Sequence, residues 1–421
     1  MRYRTALLAT RTVNATSRRL GRGQGTVAGG RAGLRLDPQL LRHLSARRTT
    51  TLVSGTNGKT TTTRLVTVAL GSDGGAVVSN ETGSNMPPGL VAALAADRSS
   101  AGRAVLEVDE IYLPRVLSAT RAAVVVLLNL SRDQLDRTNE VRMVAGKWRA
   151  ALAAAPHTVV VANADDPLVA WAAGAAATVH WVGAGLRWQL DAAGCPSCEG
   201  RLSFDADGTS GWSCESGCGF ARPAVAARLD VTDAGYRGVW ADGRALPIEL
   251  ALPGRFNHAN ALMAAVAAEA QGIDAVAALV AMAEVREVAG RFTLREFGGS
   301  TARLMLAKNP AGWSELLDLV GRGGAPLVVA INARIADGAD PSWLWDVPFE
   351  VLAGRPVVVA TGDRCRDLSV RLTYAGVAHE MVPEPVAAIA TAAEESGPGP
   401  EAVVDVIGNY TAFSDLLAAK R

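Results

Sequence analysis

The run Gly-Thr-Asn-Gly-Lys-Thr-Thr at residues 55–61 is the clearest chemical signal in this chain. A short apolar segment precedes it, and an apolar helical pattern begins at Leu65. The two glycines let the backbone approach phosphate oxygens closely, and the N–H groups at the start of the helix supply positive potential. Lys59 can bridge the outer phosphates, and the Thr60 hydroxyl can hold Mg²⁺. Val53 replaces the first glycine of the general pattern, so the segment predicts a short phosphate-binding loop. The alternative is a glycine turn before an ordinary helix.

Polar residues follow two further apolar runs. Glu107 lies at the end of the predicted strand 103–108, and a polar run begins at Asn129, the last residue of the predicted strand 123–129, and continues to Asp136. Ligands bind at the carboxyl edge of open parallel sheets. Glu107 can therefore complete the Mg²⁺ shell begun by Thr60, although an acidic loop in solvent would have the same sequence. Lys147 lies in the predicted helix 140–155, where a lone lysine is typically a solvated side chain.

Four of the five cysteines form a metal-binding pattern. Two are spaced by two residues and two by three residues, and glycines flank both pairs: Cys195, Cys198, Cys214 and Cys218. This spacing is typical of a zinc ribbon, and four thiolates would close a tetrahedral Zn²⁺ site with a structural role. A four-thiolate iron site or free thiols are the alternatives. Cys365 has no partner in the sequence.

Two polar segments lie near the middle of the chain. Asn257 and Asn260 precede or begin an alanine-rich helix, where either could be an N-cap or contact a nucleotide base. Arg291 lies at a predicted hinge between residues 284 and 297, where it could reach a phosphate or cap a helix.

A third polar segment follows a predicted strand in the last third of the chain. Asp337, Asp340 and Asp346 lie beside Trp343 and Trp345. This composition favours a ligand or partner surface, and the alternative is an Asx-rich turn with the tryptophans in the core.

The elements that must position these residues predict an α/β fold. Apolar runs at 51–54, 103–108, 123–129 and 158–162 alternate with helical segments, which is typical of a doubly wound, mostly parallel sheet. Residues 191–223 interrupt the pattern as an insertion, and a second α/β unit begins after Arg291 with strands predicted at 301–307, 326–332, 356–361 and 402–407. We expect three parts: a partly helical basic arm at 1–48, a domain with the phosphate-binding loop at 49–288 and a C-terminal α/β domain at 289–421.

Composition excludes several function classes. The chain has 421 residues and a net charge of +1, so charge alone gives no reason to expect nucleic-acid binding. Nowhere are about twenty apolar residues continuous, so we predict no membrane-spanning helix. Few cysteines in a long chain indicate a reducing, cytoplasmic compartment. Residues 1–48 are rich in arginine, which is compatible with a solvated arm or an anionic membrane surface.

Taken together, these motifs resemble the Mur ligase superfamily. The phosphate loop, Glu107, the Asp-Gln-Leu-Asp run, Gly-Lys-Trp, Asn-Ala-Asp-Asp-Pro and Gly-Arg-Phe-Asn-His-Ala-Asn-Ala all match its pattern from about residue 49 onward. The matched pattern does not include the N-terminal UDP-binding domain that those ligases usually carry. The four-cysteine insertion and the Lys-Asn-Pro-Ala-Gly and Ser-Trp-Leu-Trp-Asp segments narrow the resemblance to the MurT family of synthetase subunits.

The resemblance implies a reaction and a partner. Such a subunit uses ATP and Mg²⁺ to amidate the α-carboxyl of D-glutamate in the stem peptide of lipid II, at the inner face of the cell membrane. Ammonia comes from a GatD-like glutaminase subunit in a heterodimer. A stand-alone amino-acid ligase and a non-catalytic zinc-ribbon module are the competing hypotheses, and no nucleic-acid partner is expected.

The resemblance also assigns residues. Thr60 and Glu107 would bind Mg²⁺, and an aspartate of the second domain would complete the glutaminase triad; we favour Asp346 and keep Asp337 and Asp340 as alternatives. Lys147 matches a lysine that is carbamylated in many Mur ligases, but Gln134 stands where those enzymes often have histidine, which leaves a second Mg²⁺ and this modification open. The ATP-binding residues would be Gly55, Thr56, Asn57, Gly58, Lys59, Thr60, Thr61, Asn257 and Arg291.

Overall fold

The computed structural model describes residues 2–19, 26–80, 84–132, 141–205, 211–286, 292–321, 324–395 and 403–419. These residues divide into two compact units, one within 1–130 and 140–289 and the other within 131–139 and 290–421. The helices are α1 Arg2–Arg19, α2 Thr26–Leu36, α3 Leu40–Ser45, α4 Lys59–Leu70, α5 Pro87–Ala96, α6 Leu113–Thr120, α7 Val141–Ala153, α8 Pro167–Ala173, α9 Arg255–Glu269, α10 Ala275–Ala283, α11 Pro310–Gly321, α12 Cys365–Tyr374, α13 Pro385–Glu395 and α14 Tyr410–Ala418. Short 3₁₀ helices cover Leu190–Ala192, Ser342–Asp346 and Phe349–Leu352.

The strands follow the predicted alternation with helices. In the first unit they are β1 Thr49–Ser54, β2 Val77–Ser79, β3 Arg103–Glu107, β4 Val124–Leu127, β5 Val159–Asn163, β6 Thr178–Gly183, β7 Leu202–Phe204, β8 Trp212–Cys214, β9 Ala227–Thr232, β10 Gly235–Trp240 and β11 Ala245–Pro247. In the second unit they are β12 Phe292–Phe297, β13 Ser300–Leu306, β14 Leu327–Ala330, β15 Val358–Thr361, β16 Glu380–Met381 and β17 Val404–Gly408.

A nine-stranded sheet forms the core of the first unit. Its strand order is β11-β10-β9-β6-β5-β4-β1-β3-β2, and the pairs from β2 to β9 are parallel while β9, β10 and β11 are antiparallel. Leu52 of β1 lies opposite Leu106 of β3 and Val125 of β4, and all three side chains are buried. Two apolar clusters cover the two faces, one with α4, α9 and α10 and the other with α3 and α5 to α8. The prediction of a doubly wound, mostly parallel sheet is confirmed.

The N-terminal segment forms three helices that belong to the first unit. Helix α2 packs closely through its glycines: a Cβ added to Gly29 would lie 1.9 Å from the Asn14 side chain, and one added to Gly30 would lie 1.8 Å from the Pro88 carbonyl oxygen. These distances leave room for glycine only. Among the described residues, no helix combines the length and hydropathy needed to cross a bilayer.

The second unit is a six-stranded sheet in the order β12-β13-β17-β14-β15-β16. The pair β12–β13 is antiparallel, and the other pairs are parallel. Strand β17 is buried along its whole length, and Asp405 within it pairs with Arg303 of β13 at 2.7 Å. The predicted second α/β unit is therefore present.

Candidate functional site

The phosphate-binding loop lies at the point where the strand order reverses. Strands β1 and β4 are neighbours in the sheet. From β1 the chain continues to β2 on one side of this pair, and from β4 it continues to β5 on the opposite side. Ligands of doubly wound sheets bind in the crevice at such a point. The loop is fixed there by Asn129 after β4, whose carbonyl accepts from the Thr56 N–H at 2.9 Å and whose side chain accepts from the Asn57 N–H at 2.9 Å.

The loop has the backbone shape that a phosphate cradle requires. Gly55 has a φ of 148° and Gly58 a φ of 83°, both in the region that favours glycine. A Cβ on Gly55 would lie 2.9 Å from the Leu128 Cβ. Helix α4 begins at Lys59 immediately after Gly58, so its unpaired N–H groups are available at the loop. The predicted strand, turn and helix are confirmed.

Lys59 is folded back into the loop. Its ammonium donates to the Gly55 carbonyl at 2.6 Å and the Thr56 carbonyl at 3.2 Å, and it forms an ion pair with Glu110 at 3.1 Å. The Lys59 and Glu110 side chains are only 7% and 15% exposed. The buried Lys59 ammonium therefore lies beside the phosphate-binding loop and is bound by these three partners. The sequence pattern alone does not identify Glu110 as a partner of Lys59.

Two asparagines that follow β2 hold Glu107. Asn80 accepts from the Glu107 N–H at 2.8 Å and donates to its carbonyl at 3.0 Å, and the Asn85 amide donates to the Glu107 carboxylate at 3.3 Å. Glu107 is 3% exposed. The neighbouring strands β1, β2 and β3 thus bring the loop, the asparagines and the carboxylate to one sheet edge. Neither asparagine is identifiable from the sequence, because the only local signal for each is a position after a short strand.

Helix α7 supports this acidic segment through Trp148. The indole is fully buried and donates to the Glu110 carbonyl at 2.9 Å. Lys147, the preceding residue, is exposed. The run from Asp133 to Asp136, including Gln134, lies outside the described residues.

Helix α9 approaches the loop from the other side. It begins at Arg255 after Gly254, so the interpretation of Asn257 or Asn260 as an N-cap is wrong: both lie inside the helix. Asn257 is 2% exposed and donates to the Pro253 carbonyl at 2.6 Å. The Asn260 amide borders the loop, 3.2 Å from where a Cβ on Gly58 would stand. Arg291 lies outside the described residues.

The four clustered cysteines form a second candidate site. Their sulfur atoms all lie within 4.8 Å of one another, with Cys195 to Cys218 at 3.7 Å and Cys198 to Cys214 at 3.5 Å. Four ligands at the usual Zn–S distance would be separated by roughly 3.8 Å in a tetrahedron. The donor set and its spacing fit a closed metal site. All four cysteines are free of disulfides.

The insertion that carries these cysteines is fixed to the end of β5. The Trp212 indole donates to the Ala164 carbonyl at 3.0 Å, and Arg222 pairs with Asp165 at 2.5 Å. Burial raises the pKa of Asp165, and the Arg222 charge opposes that shift. The Asp165 carboxylate also accepts from the Gly185 N–H at 2.6 Å. These contacts attach the cysteine-bearing insertion beside β5, whereas the phosphate loop follows β1.

The three aspartates of the second unit differ in their contacts. Asp337 is buried and accepts from the Thr411 N–H at 2.9 Å. Asp340 closes an Asx turn, accepting from the Ser342 N–H at 2.8 Å and from its hydroxyl at 2.9 Å. Asp346 ends a 3₁₀ helix with its side chain 34% exposed, 3.8 Å from Arg132.

Two family matches agree with this geometry. Residues 53–192 match the Mur ligase middle domain, and residues 306–413 match the MurT ligase C-terminal domain. Among solved structures, a pseudomurein peptide ligase type C from Methanothermus fervidus superposes with a TM-score of 0.67 at 20% identity, covering 88% of this chain and 78% of that one. This structural likeness supports the fold.

Two curated relatives match over nearly their whole length. Both are the MurT subunit of lipid II isoglutaminyl synthase (glutamine-hydrolyzing). The Streptococcus pneumoniae protein is 31% identical, with 90% of this chain and 88% of the relative covered. The Staphylococcus aureus protein is 28% identical, with 99% and 97% covered. The chain therefore belongs to the MurT family of Mur ligase-like synthetase subunits.

Proposed function

We propose that this chain is the ATP-dependent subunit of an enzyme that amidates the α-carboxyl of D-glutamate in the lipid II stem peptide. The observation that carries the proposal is the phosphate loop at the sheet's reversal point, within a chain that matches MurT subunits over nearly its full length. The product is D-isoglutamine, and the use is peptidoglycan synthesis.

The chemistry requires activation of the acid. A carboxylate oxygen attacks the γ-phosphorus of ATP, ADP leaves, and the substrate becomes an acyl phosphate. Ammonia then attacks the acyl carbon, inorganic phosphate leaves with the oxygen that the carboxylate supplied, and the amide loses a proton. Phosphoryl transfer depends mainly on positioning and on stabilising charge.

The described residues suit these tasks. The backbone of residues 55–61 would hold the ATP phosphates, and Lys59 would turn from Glu110 to the outer phosphates. Thr60 and Glu107 would bind Mg²⁺, which neutralises charge on the phosphates; both are buried at the sheet edge. From the family resemblance, Asn257, Arg291 and Lys147 are proposed to complete the nucleotide site.

We further propose that the four cysteines hold a structural Zn²⁺. Four thiolates leave no open position for a substrate, so this metal would stabilise the lobe and take no part in amidation. Bound zinc would replace the core that the insertion is too small to build, since its apolar cluster contains few residues beyond Leu202 and Trp212.

The second unit exposes an aromatic patch that suits a protein partner. Trp345 is 55% exposed and Tyr374 76% exposed, and their rings meet edge to face at 5.4 Å. Val370, one turn before Tyr374 on α12, is also exposed, and the Arg371 guanidinium lies 5.7 Å from the Trp345 ring. Tryptophan and tyrosine are enriched among the residues that dominate interface energetics, and exposed apolar clusters mark docking sites. We assign this aromatic patch to a GatD-like glutaminase subunit.

Asp346 is the aspartate that best fits a role in the partner's active site. It follows Trp345 directly and therefore lies at the aromatic patch. Asp337 is buried and accepts from the Thr411 N–H, and both carboxylate oxygens of Asp340 accept from Ser342, whereas the Asp346 carboxylate forms a long ion pair with Arg132 at 3.8 Å. An acid that orients a histidine of a Cys-His pair must offer that histidine an accessible carboxylate oxygen that is not already held by a short hydrogen bond. We propose that Asp346 does this across the interface.

Reconstitution tests the proposal. The chain is purified with a candidate glutaminase and incubated with lipid II, ATP, Mg²⁺ and glutamine, and the lipid is analysed by mass. We expect conversion of one acid to an amide, a loss of about 1 Da, only when both subunits and ATP are present. Lys59→Ala should abolish conversion while circular dichroism stays unchanged. Amino-acid addition without the glutaminase would identify a stand-alone ligase instead.

The aromatic patch has its own test. Trp345→Ala and Tyr374→Ala should each weaken association with the glutaminase by tenfold or more, since an aromatic hot spot contributes about 2 kcal/mol. Val280→Ala is the control, because Val280 on α10 is 67% exposed but lies in the first unit. Equal association of all three variants would remove the patch from the interface.

A further inference from the structure

The first 48 residues concentrate positive charge that no reaction step uses. They contain 11 arginines and one acid, Asp37, although the whole chain carries a net charge of only +1. Asp37 is already engaged, since it pairs with His43 at 2.8 Å and accepts from the Gln39 N–H. The arginines are Arg2, Arg4, Arg11, Arg18, Arg19, Arg22, Arg31, Arg35, Arg42, Arg47 and Arg48.

Part of this charge lines a cleft between α1, α3 and the end of α5. The cleft has a volume of about 670 Å³. Its ionisable lining residues are Arg4, Arg11, His43, Arg47, Arg48 and a single acid, Asp97. The volume and the cationic lining suit a phosphate-bearing group.

The single carboxylate in the cleft, that of Asp97, does not balance the positive charge of the arginines around it. Asp97 pairs with Arg48 at 2.9 Å and accepts from Ser99 and Ala101. Arg11 donates to the Ala95 carbonyl at 2.6 Å, which keeps its charge at the cleft. Arg4 and Arg47 have no ion-pair partner in the part of the chain that the structure describes. The cleft therefore holds four guanidinium groups against one carboxylate.

Apolar side chains stand among the exposed arginines. Leu8 is 66% exposed on α1, one turn from both Arg4 and Arg11. On α2, Val27 is exposed in line with Arg31 and Arg35, at intervals of four residues. Charged heads beside protruding aliphatic groups suit a surface with anionic headgroups above hydrocarbon.

We propose that α1 to α3 dock the protein on an anionic lipid bilayer, with the arginine cleft receiving a headgroup phosphate. The proposal rests on the proposed function for its purpose, because it explains how a chain with no spanning helix among its described residues reaches a lipid-linked substrate. Nucleic acid is less suited, because base stacking needs aromatic side chains and the arm's one aromatic residue, Tyr3, packs against His43.

Vesicle sedimentation tests docking without ATP or substrate. The full chain is mixed at low salt with vesicles of phosphatidylcholine, alone or with phosphatidylglycerol. We expect binding to the anionic vesicles only, and loss of binding as salt rises. Arg4→Gln/Arg47→Gln should weaken binding about 30-fold, since each arginine near an anionic surface contributes about 1 kcal/mol.

A matched variant controls for charge. Arg121→Gln/Arg228→Gln removes the same charge from exposed positions of the first unit outside the arm, and it should bind vesicles like the wild type. Equal losses in both variants would overturn the proposal. So would binding of inorganic diphosphate in the cleft without vesicle binding, or tighter binding to an oligonucleotide at the same salt.

Amidation separates this proposal from the proposed function. With the glutaminase subunit and a short-chain, water-soluble lipid II analogue, Arg4→Gln/Arg47→Gln should convert substrate at the wild-type rate. Failure of the wild type in this assay would contradict the proposed function and leave the vesicle result standing. A reduced rate for the variant would place the arginines in the substrate site and overturn the membrane assignment.

Discussion

Replacing Glu110 with glutamine should lower the stability of the nucleotide-free protein and raise its affinity for ATP. In the free protein, Glu110 neutralises Lys59 at 3.1 Å with both side chains largely buried. Lys59 must leave this carboxylate to reach a phosphate. The ion pair therefore stabilises the empty state and opposes nucleotide binding by the same free energy.

The magnitude follows from the geometry. Two unit charges 3.1 Å apart attract by about 5 kcal/mol at an effective dielectric constant of about 20. Desolvation of both groups offsets part of this attraction. Glutamine keeps one acceptor oxygen, and the carbonyls of Gly55 and Thr56 still accept from the ammonium. We expect Glu110→Gln to cost about 2 kcal/mol of unfolding free energy and to tighten ATP binding up to about 30-fold.

Denaturant unfolding and calorimetric titration with a non-hydrolysable ATP analogue measure the two effects. Asp109→Asn is the control, because the Asp109 carboxylate accepts from the Ile111 N–H and has no contact with Lys59 among the described residues. It should change both quantities by less than about 0.5 kcal/mol. Weaker ATP binding by Glu110→Gln with unchanged stability would refute the reasoning and place Glu110 on the nucleotide or its metal.

Three further predictions test separate parts of the account. Cys198→Ser should lower both the zinc-to-protein ratio and the melting temperature, while Cys365→Ser should leave the metal content unchanged; a full complement of zinc in the first variant would rule out the four-thiolate site. Asp346→Asn should abolish glutamine-driven amidation in the complex and spare amidation driven by free ammonia. The control Asp340→Asn should keep both activities. Loss of both activities in Asp346→Asn would contradict a triad role. Burial lowers the pKa of His258 below 6.5, and the Gly254 carbonyl opposes this shift. The stability that neutral His258 contributes is therefore complete above pH 6.5 and declines as the pH falls below it. Unfolding free energies at pH about 5 and about 7 should differ less in His258→Gln than in the wild type.

The features that depend on residues close together in the chain were predictable from the sequence. The loop at 55–61, the apolar strands beside it and the cysteine cluster are each encoded within a short segment, and the structure contains them. Strand β3 ends at Glu107, within one residue of its predicted end at 108. Periodicity and glycine placement are sufficient for such features.

The contacts that complete the site were not predictable in this way. Glu110 meets Lys59 across 51 residues, and Asn80 meets Glu107 across 27. A single sequence contains no signal for such pairs, because sheet order decides which strand ends become neighbours. The N-cap interpretation of Asn257 was wrong for a local reason: Gly254, with a φ of 97°, starts the helix earlier than the capping pattern suggested.

Isotope transfer distinguishes activation through an acyl phosphate from other routes to the amide. Lipid II with ¹⁸O at both oxygens of the D-glutamate α-carboxyl is incubated with the chain, the glutaminase, glutamine, Mg²⁺ and unlabelled ATP, and the inorganic phosphate is analysed by mass. Activation through an acyl phosphate predicts one labelled oxygen in phosphate for each amide formed. Amide formation with unlabelled phosphate, or without consumption of ATP, would contradict the account.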